Sequence, residues 1–351
     1  MPVFRRPSRG LFRSAAPGLL RTAALALALA AAPGHAQPPL TLGVLPVEGP
    51  LETRNDWDPV VADLSRALGR PAQLLAPTSY DAMETALRQG DVDLAALSGQ
   101  LVIDAVTRHG MTVIARGIPA YPERYRTVLI ARRGSAPRTL DQMLALPGKW
   151  RLARGETRSF SGYLVPQLQL FLPRGLRMEA FFADEVQSSH QTNTLAVANG
   201  EADLGLTTGS DLVRFKDRFP AEYARLAMLW RSDPLPAPLI VARRSLPEAV
   251  RARLAAHLVS LGQTRQGQEQ LMRRHDLSGF EATGDAALLA NAHLVYRFDR
   301  QSALQGSWTD EPARKARLQR IDQEYASLRA TLGGPQRHEA YALPASSGAR
   351  P

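Results

Sequence analysis

The sequence predicts an α/β protein with parallel strand pairs. Three short apolar runs, Leu40–Leu45, Gln73–Ala76 and Val92–Leu97, alternate with two segments of helical periodicity, and the order strand, helix, strand, helix, strand lays helices across a sheet. The 351 residues are 44% apolar and include no cysteine. A large core must therefore carry stability, since no disulfide can staple the chain and no thiolate can hold a metal. Ligands of such sheets gather beyond the carboxyl ends of the strands, in loops that lead into helices.

The first 36 residues read as an export signal. Arg5, Arg6, Arg9, Arg13 and Arg21 stand there without an acid, and the apolar run Ala23–Ala32 is too short to span a bilayer. Gly34 and Ala36 supply small residues at −3 and −1 of a cut before Gln37. No Cys follows that run, which excludes a lipoprotein anchor, and no later stretch is long and apolar enough to cross a membrane. The expected location is the periplasm, with a chain that does not span the membrane once the signal is removed. Five of the ten net positive charges belong to the signal, leaving +5. That balance suits an anionic ligand. No basic stripe is interleaved with aromatics, so nucleic acid is not an expected partner.

After the first strand, Asp58-Pro59 has the form of a helix start, with Val60, Leu64 and Leu68 on one buried face. Asp81–Gln89 reads as a helix closed by Gly90. Further strands are expected at Tyr125–Ala131, Trp150–Ala153, Ala202–Leu206 and Leu239–Ala242. Helices are expected at Thr139–Leu144, from Ser161-Gly162 through Phe171, and at Asn193–Asn199. Ser245-x-x-Glu248 has the spacing of a capping box for a helix running to Leu261. Glu311–Leu332 is patterned as a surface helix, and the Pro-, Gly-, Ser- and Ala-rich segment 334–351 reads as a disordered tail.

Four segments carry chemistry. In Arg158-Ser159-Phe160-Ser161-Gly162-Tyr163, two hydroxyls precede an apolar-periodic helix. Free amides and the positive dipole end of such a helix suit an oxyanion, and Gly162 would admit a ligand close to the backbone. Read alone, Ser159 and Ser161 are equally ordinary helix caps. His190, in Ser188-Ser189-His190-Gln191-Thr192-Asn193, stands just ahead of another helix and can donate to a phosphoryl oxygen. Read alone, it is a surface or capping histidine. Tyr80 in Thr78-Ser79-Tyr80-Asp81 and Tyr125 in Arg124-Tyr125-Arg126-Thr127 each place a phenolic donor beside a strand end. The plain alternative for both is a half-buried core edge.

The four segments, in this order, resemble the phosphonate-binding proteins of ABC transporters. That family's pattern is met by Tyr80 with Gly90-Asp91-Val92-Asp93-Leu94-Ala95, and by Tyr125-Arg126-Thr127-Val128-Leu129-Ile130. It is met again by Ser159-Phe160-Ser161-Gly162-Tyr163-Leu164-Val165-Pro166 and by Ser189-His190-Gln191-Thr192-Asn193-Thr194-Leu195-Ala196-Val197-Ala198-Asn199. The likeness runs from Thr41 to Leu261 and fades afterwards. It implies a periplasmic-binding-protein type II fold, two α/β lobes with a two-crossover hinge. Lobe 1 would be residues 37–127 plus 239–333, and lobe 2 residues 128–238. It implies capture of a small phosphorus oxyanion (phosphonate, phosphite or phosphate) for delivery to an ABC permease in the inner membrane. Ser159, Ser161, His190 and the Gly162 amide would contact the phosphonyl group, with Phe160 beside them and Tyr80 and Tyr125 closing the pocket. No cofactor, metal or catalytic residue is implied.

Three departures qualify the likeness. Phe160 replaces a hydroxyl residue of the family's Ser-Thr-Ser triplet. The two acids that hold the amine of aminoalkyl phosphonates align with Ser210 and Pro238, with Asp211 and Asp233 nearby but out of register. An ammonium there would be desolvated and unpaired. The expected ligand is therefore compact (phosphite, methylphosphonate or phosphate) or a phosphonate with an apolar tail against Phe160. The alternative function is a ligand-sensing accessory protein of a membrane signalling system with the same fold. An enzyme is not expected, because no acid is visible to orient His190 and no metal-spaced His/Asp set appears.

Overall fold

Two β-sheets organise the computed structural model, which describes residues 38–45, 47 and 49–333. The expected signal, residues 1–36, and the expected disordered tail, 334–351, lie outside the described residues. The strands are β1 (Leu40–Val44), β2 (Ala72–Leu75), β3 (Leu94–Leu97), β4 (Met111–Pro119), β5 (Arg126–Arg132), β6 (Arg151–Arg154), β7 (Asp184–Gln187), β8 (Leu204–Thr208), β9 (Leu226–Pro234), β10 (Leu239–Arg243) and β11 (Leu277–Ala282). The first sheet has the order β11-β4-β10-β3-β1-β2 and the second β7-β6-β8-β5-β9. The expected parallel core is present in each. Leu42 sits opposite Leu74 on one side and Leu94 on the other, and β6 lies parallel to β7 and β8. The strands that cross from the opposite sheet, β5 and β10, run antiparallel to their neighbours. The chain crosses twice, once between β4 and β5 and once between β9 and β10.

The pleat divides each sheet between two cores. Along β5, Val128 and Ile130 face Val197, Leu212 and Phe215, whereas Leu129 and Ala131 face Phe171, Phe181 and Leu206. This is the two-residue alternation of a strand buried on both faces. The helix Leu289–Gln305 belongs to neither sheet alone. Ala292 joins the first sheet's core, Leu294 packs with Phe160, Leu164 and Leu168, and the Phe298 ring meets Tyr163 edge-on at 6.2 Å.

Several local expectations are corrected. The first helix spans Pro50–Leu68, so Pro59 lies inside it instead of starting it. Proline has no N–H for the carbonyl four residues back. That carbonyl, of Asn55, accepts instead from the Arg274 guanidinium, which removes the cost of an orphaned acceptor. The segment after Ser159 winds as two π-helical turns, Phe160–Leu164 and Gln167–Phe171, not as a continuous α-helix. The helix Glu248–Leu261 starts after Pro247 without a side-chain cap, so the Ser245 box does not form. His190 is the first residue of its helix, His190–Asn199, capped by Ser189. Gly99–Thr107, Gly209–Arg218, Arg265–His275 and Leu289–Gln305 are helices the pattern reading did not identify.

Candidate functional site

Four helices of nine or ten residues begin where the two sheets face one another: Tyr80–Gln89, Gly99–Thr107, His190–Asn199 and Gly209–Arg218. Three follow a hydroxyl cap that satisfies a first-turn amide. Ser79 accepts from Ala82 N–H (3.1 Å), Ser189 from Thr192 N–H (3.2 Å) and Thr208 from Asp211 N–H (3.1 Å). Each helix follows a strand end or its loop, so their positive ends converge on one cleft.

The cleft encloses a cavity of about 200 Å³. Five of the seven expected site residues line it: Tyr80, Tyr125, Phe160, Ser161 and His190. Ser161 Oγ lies 3.1 Å from His190 Nε2. Thr127, wholly buried, donates to the Ser161 carbonyl at 3.0 Å and fixes that turn against β5. Tyr125 sits in the first crossover, and its carbonyl accepts from Leu235 N–H of the second at 2.9 Å.

Ser159 and Gly162 do not line this cavity. Ser159 Oγ accepts from the Gly162 amide at 3.0 Å. The amide expected to meet a ligand is thus taken by the cap. A Cβ on Gly162 would stand 2.6 Å from the Gly155 Cα. The close approach that glycine permits is to another backbone segment, not to a ligand.

The acid that orients His190 is Asp211, which the sequence places out of register. Its Oδ2 is bonded to His190 Nδ1 and accepts from Thr208 Oγ1 at 2.7 Å, while its Oδ1 accepts from Arg214. Burial pushes this carboxyl up, but His190 and Arg214 outweigh burial and hold it well below the ordinary carboxylate range. An ionised carboxylate only accepts, so the His190 proton is on Nδ1 and Nε2 faces Ser161. Desolvation raises both tyrosine phenols, which stay neutral donors. Ser210 and Pro238 line the cavity as expected of the amine-site positions, with Ser210 donating to Asp276 at 2.6 Å. Asp233 is exposed, and its amide donates to Gln169. The out-of-register acid at 211 is therefore in the site, but both its oxygens are engaged. Among the described residues, no three His, Asp or Glu side chains are grouped to hold a metal.

Contacts also run across the cleft. Arg158 reaches Asp81 (2.9 Å), Glu84 and Asp104 (3.6 Å). His190 N–H donates to the Val47 carbonyl at 2.7 Å, and Arg218 pairs with Asp56 at 3.3 Å.

The family model described as the phosphonate periplasmic substrate-binding protein of an ABC transporter matches residues 42–288. The chain belongs to this family. It is 25% identical over 304 residues to the phosphonates-binding periplasmic protein of Escherichia coli K12, covering 84% of this chain and 88% of that protein. It is 22% identical over 226 residues to a phosphate-import protein of Mycolicibacterium smegmatis, covering 60% and 68%. Among solved structures, the binding component of a phosphonate ABC transporter from Pseudomonas aeruginosa superposes with a TM-score of 0.78 at 25% identity. That superposition covers 85% of this chain and 98% of that one. A methylphosphonate complex of a Prochlorococcus marinus protein gives 0.61 at 19% identity, covering 70% and 92%, which supports the fold alone. The fold is the type II periplasmic-binding architecture, and the protein is a substrate-binding component of the phosphonate ABC-transporter family. Among the described residues, no helix is long and apolar enough to cross a membrane.

Proposed function

We propose that the protein is exported by its first 36 residues, captures a phosphorus oxyanion between lobe 1 (37–127 plus 239–333) and lobe 2 (128–238), and delivers it to an inner-membrane permease. The observation that carries this reading is the 3.1 Å approach of Ser161 Oγ to His190 Nε2 on a cavity that Tyr80 and Tyr125 also line. A phosphoryl oxygen arriving there meets the Ser161 hydroxyl, two neutral phenols and the imidazole. Behind the imidazole, the Asp211 carboxylate is held by His190 Nδ1, Thr208 and Arg214, which keeps that buried charge paired. Ser159 and Gly162 act one layer behind, holding the turn.

Ser161, His190 and Asp211 also form a Ser-His-Asp relay, which supplies the orienting acid that the sequence did not reveal. Capture remains the better reading, because the family's role is substrate binding and the relay's hydroxyl lies among donors suited to an anion at rest. Thermal-shift titration with phosphate, phosphite, methylphosphonate, 2-aminoethylphosphonate and sulfate tests it. A bound anion raises the melting temperature by mass action. Ser161→Ala and His190→Ala should each abolish the rise. An unchanged shift in both, or release of phosphate from a generic phosphate ester, would overturn capture at this site.

A further inference from the structure

The cavity is larger than a tetrahedral anion requires. It measures about 200 Å³, against about 10–15 Å³ on the same measure for a single water. Ser161, His190, Tyr80 and Tyr125 mark out one end. Most of the remaining lining surface is apolar, supplied by Trp57, Phe160, Pro238, Ile240, Leu277 and Phe280, with Thr53, Asp56, Ser98, Ser210 and Arg274 between them. Such a wall gains from covering hydrocarbon.

The charged groups of this wall are already paired. Asp56 is bridged by Arg218 at 3.3 Å and by Arg274 at 3.7 Å. Asp211 is engaged by His190, Thr208 and Arg214. An ammonium carried into this space would find no unengaged carboxylate and would be buried at high cost. The geometry thus selects an uncharged substituent.

His275 lines the cavity with its ring against Trp57, centroids 4.6 Å apart. Its Nε2 is buried out of reach of the cavity, so the ring adds area to this wall and no acceptor that a ligand could meet.

We propose that the ligand is an organophosphonate whose substituent is uncharged and mainly hydrocarbon, seated against Trp57, Phe160, Leu277 and Phe280. This rests on the reading of Ser161 and His190 as the phosphonyl grip and adds the recognition of what is attached to phosphorus.

Calorimetric titration with methylphosphonate, 2-aminoethylphosphonate and benzylphosphonate separates the two readings. Benzylphosphonate should bind at least tenfold tighter than methylphosphonate, and the aminoethyl compound no tighter than methylphosphonate. Trp57→Ala should remove only the aryl increment, with methylphosphonate affinity kept as the control for folding. If methylphosphonate binds and benzylphosphonate binds no tighter, the tail proposal is overturned while the grip stands. Tightest binding by the aminoethyl compound overturns it too. Absence of binding by all three overturns both.

Discussion

The Nδ1 atom of His190 is bonded to the carboxylate of Asp211, 21 residues downstream on the next helix of the same lobe. This contact fixes the imidazole tautomer and places a negative charge behind any anion that meets Nε2. Asp211→Asn keeps the shape and removes that charge. A hydrogen bond to a charged group contributes about 1.5–3 kcal/mol, so phosphonate affinity should fall between tenfold and a hundredfold in calorimetry. The thermal unfolding of the unliganded protein should remain cooperative. An unaltered affinity would show that the imidazole works without its carboxylate.

Arg158 ties the lobes together outside the pocket. Its bond to Glu84 is the largest influence on that carboxyl, which it holds below the ordinary range. Partly exposed ion pairs contribute up to about 1 kcal/mol. Arg158→Ala should weaken phosphonate binding about two- to fivefold and enlarge the radius of gyration of the unliganded protein in solution scattering. Identical scattering profiles would mean that Arg158 does not bias closure.

His275 links stability to pH. Its folded pKa of about 3 lies below the 6.5 of the unfolded chain, so the unfolded state binds the proton first. Stability from this group is complete above pH 6.5 and declines as pH falls towards 3, at up to about 1.4 kcal/mol per unit. Urea unfolding of the wild type and of His275→Phe at pH 7, 6, 5 and 4 should show a shallower decline in the variant. Parallel profiles would place the titration elsewhere.

Gly162 should tolerate no side chain. A Cβ there meets the Gly155 Cα at 2.6 Å and its nitrogen at 2.7 Å. Gly162→Ala should cost about 1–3 kcal/mol of stability, the usual range for overpacking, read as a lower denaturation midpoint. A wild-type midpoint would show that the two backbones can separate.

Much of this arrangement was legible before any coordinates. The strand-helix order and the helix from Asn193 onward follow local rules that short sequence windows obey. Pro59 misled because the compensation for its missing N–H comes from Arg274, 215 residues later, and no local rule contains that donor. Asp211 was set aside as out of register because alignment counts positions. The helix Gly209–Arg218 turns its first carboxylate onto His190 regardless of that count. Gly162 reads in the sequence as a place where a ligand comes close to the backbone, whereas the group that comes close in the fold is Gly155. Trp57 and His275 carried no motif, and only the fold brings them to one wall.

The helix Leu289–Gln305 gives the molecule a third tie beyond its two covalent crossovers. Its Asn291 side chain accepts from Gly99 N–H of one lobe at 2.8 Å, while Leu294 and Gln305 hold the π-helical turns and the Leu172 carbonyl of the other. Any parting of the lobes must slide one end of this strut over its apolar seat. Such a brace should restrict the swing to a short arc, because the contacts at both ends would have to be remade as the lobes part.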